Sequence, residues 1–165
     1  MSNLFSITAL IFSSLMWMHL NAEAQSNPPI KALPPKVEIA RVNALETQKS
    51  CMHFVQMNVF EFEECIHDRL QEKKWKPAER LGITYMGFVG ALSAQRMGSQ
   101  GSQAMAWKYA KKSLVIQKKL GVKDRELCEI VPGDCETRLA RTAFILQSPA
   151  PTPLTEAEIA TRHKH

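Results

Sequence analysis

The chain has 165 residues, 45% of them hydrophobic and 22% charged, with a formal net charge of +5 and four cysteines. That length supports one domain burying about two thirds of its unfolded surface, and argues against a second independent core. The positive balance favours solubility and attraction to anionic surfaces, and carries no information about fold.

At the N-terminus, Leu4 to Leu20 is dominated by apolar residues and contains neither Lys nor Arg, and Ala22-Glu23-Ala24 follows just before Gln25. An apolar core ahead of a small-x-small site has the form of a secretory signal peptide, residues 1–24, cleaved after Ala24. His19 and Asn21 cut the apolar stretch short of a comfortable membrane span, so no stable span is expected after cleavage. The only positive charge ahead of the core is the terminal amine, which keeps a retained anchor or a buried first helix open as alternatives. All four cysteines follow the cut. An even number in an exported chain reads as disulfides formed in an oxidising compartment, periplasmic or extracellular.

A Pro-rich leader, residues 25–36, contains Pro28, Pro29, Pro34 and Pro35. It leads into a helical domain, 37–146, in which strand signals are nearly absent. Val37, Ala40, Ala44, Leu45, Cys51, Met52 and Val55 fall at helical spacing and predict a first helix over 37–57.

The next stretch supports two readings. Met52, Val55, Val59, Phe62, Ile66 and Leu70 step by three and four as one continuous helix would. Such a helix would hold Cys51 and Cys65 roughly 21 Å apart, whereas a disulfide needs its Cα atoms within about 7 Å. Alternatively, Asn58-Val59-Phe60-Glu61 has the form of a capping box, with Met57 and Phe62 in the positions of a hydrophobic staple. A helix that starts at Asn58 follows a turn, and Cys51 and Cys65 then lie level with each other on two antiparallel helices.

Beyond Leu70 the punctuation is clearer. Pro77 suits the first position of a helix over 77–97, with Gly98 as its stop. The tandem Gly-Ser-Gln of residues 98–103 forms a loop. A helix over 103–120 ends in Lys118-Lys119-Leu120-Gly121, with cations at the negative end of its dipole and glycine at a left-handed cap. Asp124 is expected to cap a short helix to Val131, and Asp134 another over 135–146. Cys128 then sits in the last turn of one helix and Cys135 in the first turn of the next, with Pro132 and Gly133 bending the chain between them. A Cys128–Cys135 bridge would clamp this corner and stabilise the fold by about 2.5 kcal/mol through loop-closure entropy. The six-residue gap is not the C-x-x-C spacing of a redox pair. Pro149, Pro151 and Pro153 interrupt a flexible tail, 147–165. The fold class expected is all-α, a small disulfide-stabilised bundle of helical hairpins.

Within 77–113, Leu81-Gly82 followed by Tyr85 resembles the Leu-Gly-x-x-Tyr core of a tetratricopeptide first helix. Ala104-Met105-Ala106-Trp107-Lys108-Tyr109-Ala110-Lys111 is similar to the second helix of the related Sel1-type repeat. The packing logic is that Gly82, with Gly90 and Ala94 on one stripe, admits a second helix closely while Tyr85, Trp107 and Tyr109 fill the wedge. The resemblance implies a tetratricopeptide-like helical hairpin and a protein-interaction role.

Catalytic constellations are thin, and no catalytic residue is assigned. Glu64 and His67 have E-x-x-H spacing, but a di-iron bundle needs two such motifs and further carboxylates. Cys51, Met52, His53 and Met57 could be soft copper ligands, though helical core spacing plus a disulfide explains Cys51 and Met52 more simply. His163 and His165 suggest no more than adventitious metal binding. No G-x-S-x-G, phosphate loop, H-E-x-x-H or dinucleotide fingerprint is present, so neither a cofactor nor a metal site is expected. The surface feature most open to a functional reading is the lysine face of the 103–120 helix, formed by Lys108, Lys111, Lys112, Lys118 and Lys119, which could meet an acidic protein or another anionic envelope component. Nucleic acid is not an expected partner in that compartment. The function expected is an exported, periplasmic protein-interaction module, the alternative being a small periplasmic ligand or metal carrier.

Overall fold

The computed structural model describes residues 32–152, and these hold six α-helices and no strand. The chain divides into two units, Met1–Ala32 and Leu33–His165, and every element below belongs to the second. The expected signal segment, the leader up to residue 31 and the tail from residue 153 lie outside the described residues. No helix among the described residues is long and apolar enough to cross a membrane.

The helices are α1 (Pro35–Cys51), α2 (Val59–Gln71), α3 (Pro77–Arg96), α4 (Ser102–Leu120), α5 (Asp124–Ile130) and α6 (Cys135–Gln147), with a 3₁₀ turn (Met52–Gln56) between α1 and α2. Every residue from Leu81 to Phe88 is buried. A helix apolar on all sides must be enclosed by others, and α3 is the central helix on which α1, α2 and α4 pack. Beyond this ring, α5 packs on α1 and α6 on α4. The termini of α3 are set locally. Pro77 opens it, Glu79 Oε2 accepts a 2.6 Å bond from Lys76 N, and Gly98 at φ 76° closes it. Gly98 N reaches Gln95 O at 3.0 Å and Ser99 N reaches Ala94 O at 2.9 Å, the paired carbonyl closure of a glycine-terminated helix.

Small residues on α3 set its neighbours' distances, though not as the helical-repeat packing predicts. A Cβ at Gly82 would collide with the Ala40 carbonyl oxygen and lie 2.9 Å from Ala44 N, both in α1. One at Gly90 would enter the Phe62 ring of α2. The glycine that admits α4 is Gly87, whose Cβ would stand 2.9 Å from Tyr109 Cδ1. Gly82 and Gly90 therefore serve α1 and α2, because α3 is wrapped on three sides rather than paired with one partner.

The first helix begins at Pro35 and stops at Cys51, six residues short of the expected end. The chain then passes through the 3₁₀ turn to Asn58, an extended N-cap at φ −158° whose side chain accepts from Phe60 N at 2.9 Å. The hairpin reading holds and the continuous helix does not. Its local details differ from those expected. Asn58 N donates to Phe54 O at 2.8 Å rather than to Glu61, so the box is not reciprocal. Met57 is 72% exposed while Phe62 is fully buried, so the staple does not form. The turn brings Cys51 and Cys65 to a Cα separation of 5.8 Å, and they form a disulfide.

The second disulfide joins Cys128 and Cys135 across the α5–α6 corner, Cα to Cα 5.2 Å. Asp134 caps α6 as expected, accepting from Thr137 N at 3.1 Å. Asp124 does not cap α5. Lys123 occupies that position with its amide bonded to Glu126 Oε2 at 2.8 Å, while Asp124 Oδ1 accepts from the buried Gln117 side chain at 2.7 Å. A buried amide needs a partner, and Asp124 is the group that supplies it. Arg138 braces the same corner from inside, donating to Val131 O at 2.6 Å and Pro132 O at 3.4 Å. Lys36 ties the start of α1 to the end of α4, its ammonium donating to Leu120 O at 2.9 Å and Gly121 O at 3.0 Å.

Candidate functional site

The lysine face of α4 is not uniform. Lys118 and Lys119 are exposed near the helix end, whereas Lys108, Lys111 and Lys112 line a groove of about 500 Å³ bounded by α2, α3 and α4. Its apolar floor is Leu70, Trp107, Val115 and Ile116, and Arg80 joins the three lysines at its rim. Helical spacing explains the gathering on α4. Residues 108, 111, 112 and 115 repeat at three and four, so they share a face, and α3 packs beside that face to bring Arg80 and Thr84 across from it.

One of the four cations already has an anion, since Lys108 Nζ meets Glu63 Oε1 at 2.5 Å. Arg80, Lys111 and Lys112 form no ion pair among the described residues. The lysines lie instead against aromatic rings. Lys111 Nζ is 4.7 Å from the Trp107 centroid, and Lys112 Nζ is 5.4 Å from that of Tyr109. Partial burial lowers the Lys112 pKa, and the positive charges of Lys108 and Arg80 push it the same way against the opposing pull of Glu63. Burial raises the Tyr109 phenol well above its ordinary range, and the neighbouring Glu63 carboxylate adds to this. Thr84 contributes no free donor, because its hydroxyl is committed to Arg80 O at 2.8 Å and Leu81 O at 3.2 Å. The polar chemistry offered by the groove is therefore mainly cationic, with the Trp107 indole as its one neutral side-chain donor, above an apolar floor.

A second depression, about 380 Å³, lies beside the Cys51–Cys65 bridge and is lined by Glu61, Glu64, Asp68 and Glu72 with Arg69. Arg69 neutralises part of it, pairing with Glu46 at 2.9 Å and Glu72 at 3.6 Å. Glu64 belongs to this surface and His67 is exposed. Among the described residues no group of three or more His, Cys, Asp or Glu is placed to hold a metal ion. Cys51 is tied up in its disulfide and Met57 points to solvent, which disperses the soft-ligand set around His53. His163 and His165 lie outside the described residues.

Arg80, Glu63 and Leu70 had no signal as site residues in the sequence, and Val115 had only an indirect one. Arg80 and Leu70 stand on different helices from the lysines, and only the packing of α2 and α4 against α3 brings them together. Val115 reads as one more apolar residue of a helix, yet it is 63% exposed. An apolar position interrupting the lysine spacing of α4 was the available clue. No protein-family model matches the chain, and no curated protein and no solved structure matches it.

Proposed function

We propose that the chain is an exported helical binding module, a bundle of hairpins of tetratricopeptide-like character, that engages an acidic protein or another anionic envelope component through the cationic face of α4. The observation carrying this reading is the crowding of Arg80, Lys111 and Lys112 around an apolar floor with no ion pair at any of them among the described residues. Like charges held together cost stability, and an anionic partner would relieve that cost on binding. The two disulfides favour an oxidising compartment, in keeping with the signal-like N-terminal segment. Capture from an envelope extract on immobilised, oxidised protein tests the reading. A partner retained by the native chain and released by salt is expected. Retention that is indifferent to charge reversal at every lysine of α4 would refute it.

A second reading, a carrier of a small amphiphile, draws on the size of the groove, which lies within the usual range of about 300–1,000 Å³ for small-molecule sites. Native mass spectrometry of the protein as purified would reveal a retained small molecule if this is the function.

A further inference from the structure

We infer that the groove between α2, α3 and α4 binds an acidic amphipathic peptide segment of a partner protein, one whose carboxylates flank one or two large apolar side chains. This rests on the binding-module reading and assigns its site and partner chemistry. The molecule already shows the contact. Glu63 reaches across from α2 to Lys108, so a helix-borne carboxylate fits the cations of α4, and Arg80, Lys111 and Lys112 present three further positions of the same kind.

Charge count separates a peptide from a simple amphiphile. A fatty acid brings one carboxylate and would leave two of the three cations unpaired over its chain. A peptide helix carrying acidic residues at i and i+3 or i+4 matches cations repeating at the same spacing along α4. The floor suits apolar anchors between those carboxylates, because Trp107 is only half-buried and Val115 is 63% exposed. With the Thr84 hydroxyl committed to backbone, the Trp107 indole is the one neutral side-chain donor in the lining, against four cations, so charge dominates over the donors that would select a sugar or an amide headgroup. Exposed lysines recognise charge rather than shape, so binding should be steeply salt-dependent.

The test uses the full chain with both disulfides intact. Its probe is a fluorescent synthetic helical peptide with three Glu at i, i+3/i+4 spacing around two Leu, alongside a twin with Gln for Glu. Anisotropy titrations are expected to show the Glu peptide binding at least tenfold more tightly than the Gln twin. Its affinity should drop at least tenfold in Lys111→Glu/Lys112→Glu and in Val115→Asp, and stay unchanged in Lys49→Glu/Arg125→Glu, which reverses as much charge at exposed positions on other helices. All these positions are at the surface, so thermal melts can verify folding of each variant. Equal affinity across the variants would overturn the inference. So would groove-dependent binding of laurate, or of vesicles of 70% phosphatidylcholine and 30% phosphatidylglycerol, with no binding of the Glu peptide. Extract partners lost with Lys118→Glu/Lys119→Glu but kept with Lys111→Glu/Lys112→Glu would overturn the groove while leaving the binding module standing. Partners lost with neither pair would remove the binding-module reading itself.

Discussion

Gly82 lies against the carbonyl oxygen of Ala40 so closely that α1 and α3 touch backbone to backbone at this crossing. The absence of a side chain is a structural requirement there. The obstacle to a Cβ is main chain, which cannot rotate away. Gly82→Ala is expected to destabilise the protein by about 3 kcal/mol, at the upper end for overpacking of a core. Gly87→Ala should cost less, because its nearest obstacles are side-chain atoms of Tyr109 and Ile66 at 2.9 to 3.2 Å, where a Cβ at Gly82 would meet main chain closer still. Chemical denaturation of both variants checks the order, and equal midpoints would contradict it.

Asn58 is the cap of α2, accepting from Phe60 N, so Asn58→Ala should cost about 0.5–2 kcal/mol. In a continuous helix the same change would stabilise by up to about 0.7 kcal/mol, since Ala is the better helix former. The sign of the shift in denaturant midpoint is therefore the readout.

The helices of this chain were legible where single residues impose backbone geometry. Pro77, Gly98 and Gly121 fixed three helix ends because proline sets φ and glycine admits the left-handed cap. Met57 and Asp124 misled, since each suited a local motif but was drawn elsewhere, Met57 to solvent and Asp124 to the buried amide of Gln117. The groove was half legible. Its lysines repeat on one helix and can be read from spacing alone, but Arg80 and Leu70 reach it only through the packing of three helices, which no local pattern encodes.

The disulfides should contribute unequally. Cys51 and Cys65 are separated by 14 positions and Cys128 and Cys135 by 7. Loop-closure entropy then gives about 3 kcal/mol for the first bridge and about 2.5 kcal/mol for the second. Replacing both cysteines of a pair by Ala, one pair at a time, should show the first loss as the larger. Arg138 also narrows the second loss, because its bonds to Val131 O and Pro132 O hold the α5–α6 corner without the bridge.

Tyr85 carries a hydroxyl that is buried and has no hydrogen-bond partner among the described residues, and the Nε of buried Arg138 is in the same position. Burial raises the Tyr85 pKa and the nearby guanidinium opposes the rise. A buried polar group left unpaired costs about 1–3 kcal/mol. Tyr85→Phe keeps the ring and removes that group, so it is expected to stabilise by about 1 kcal/mol. A loss of stability on calorimetry would show that the hydroxyl has a partner.

Lys112 links the groove to pH. Its pKa lies below the ordinary lysine value because partial burial and the positive charges of Lys108 and Arg80 disfavour the ammonium, while Glu63 only partly offsets them. Between the folded and unfolded pKa values the unfolded chain binds more protons at this position, so its contribution to stability rises with pH. Below that window the ammonium is held in both states and the folded state bears the full penalty. Lys112→Met keeps the aliphatic stem and removes the charge. It should therefore raise the thermal midpoint at neutral pH, and the gain should shrink as the pH approaches the ordinary lysine value of 10.5. The same variant should bind the Glu-bearing peptide more weakly, since it withdraws one of the three unpaired cations. A cation that lowers stability while strengthening binding is the expected mark of a functional position. Melts of the native chain and Lys112→Met between pH 7 and 10.5 measure the first effect, and anisotropy at neutral pH the second. A destabilised Lys112→Met at pH 7 would show that the ammonium is satisfied within the fold and is not held in readiness for a partner.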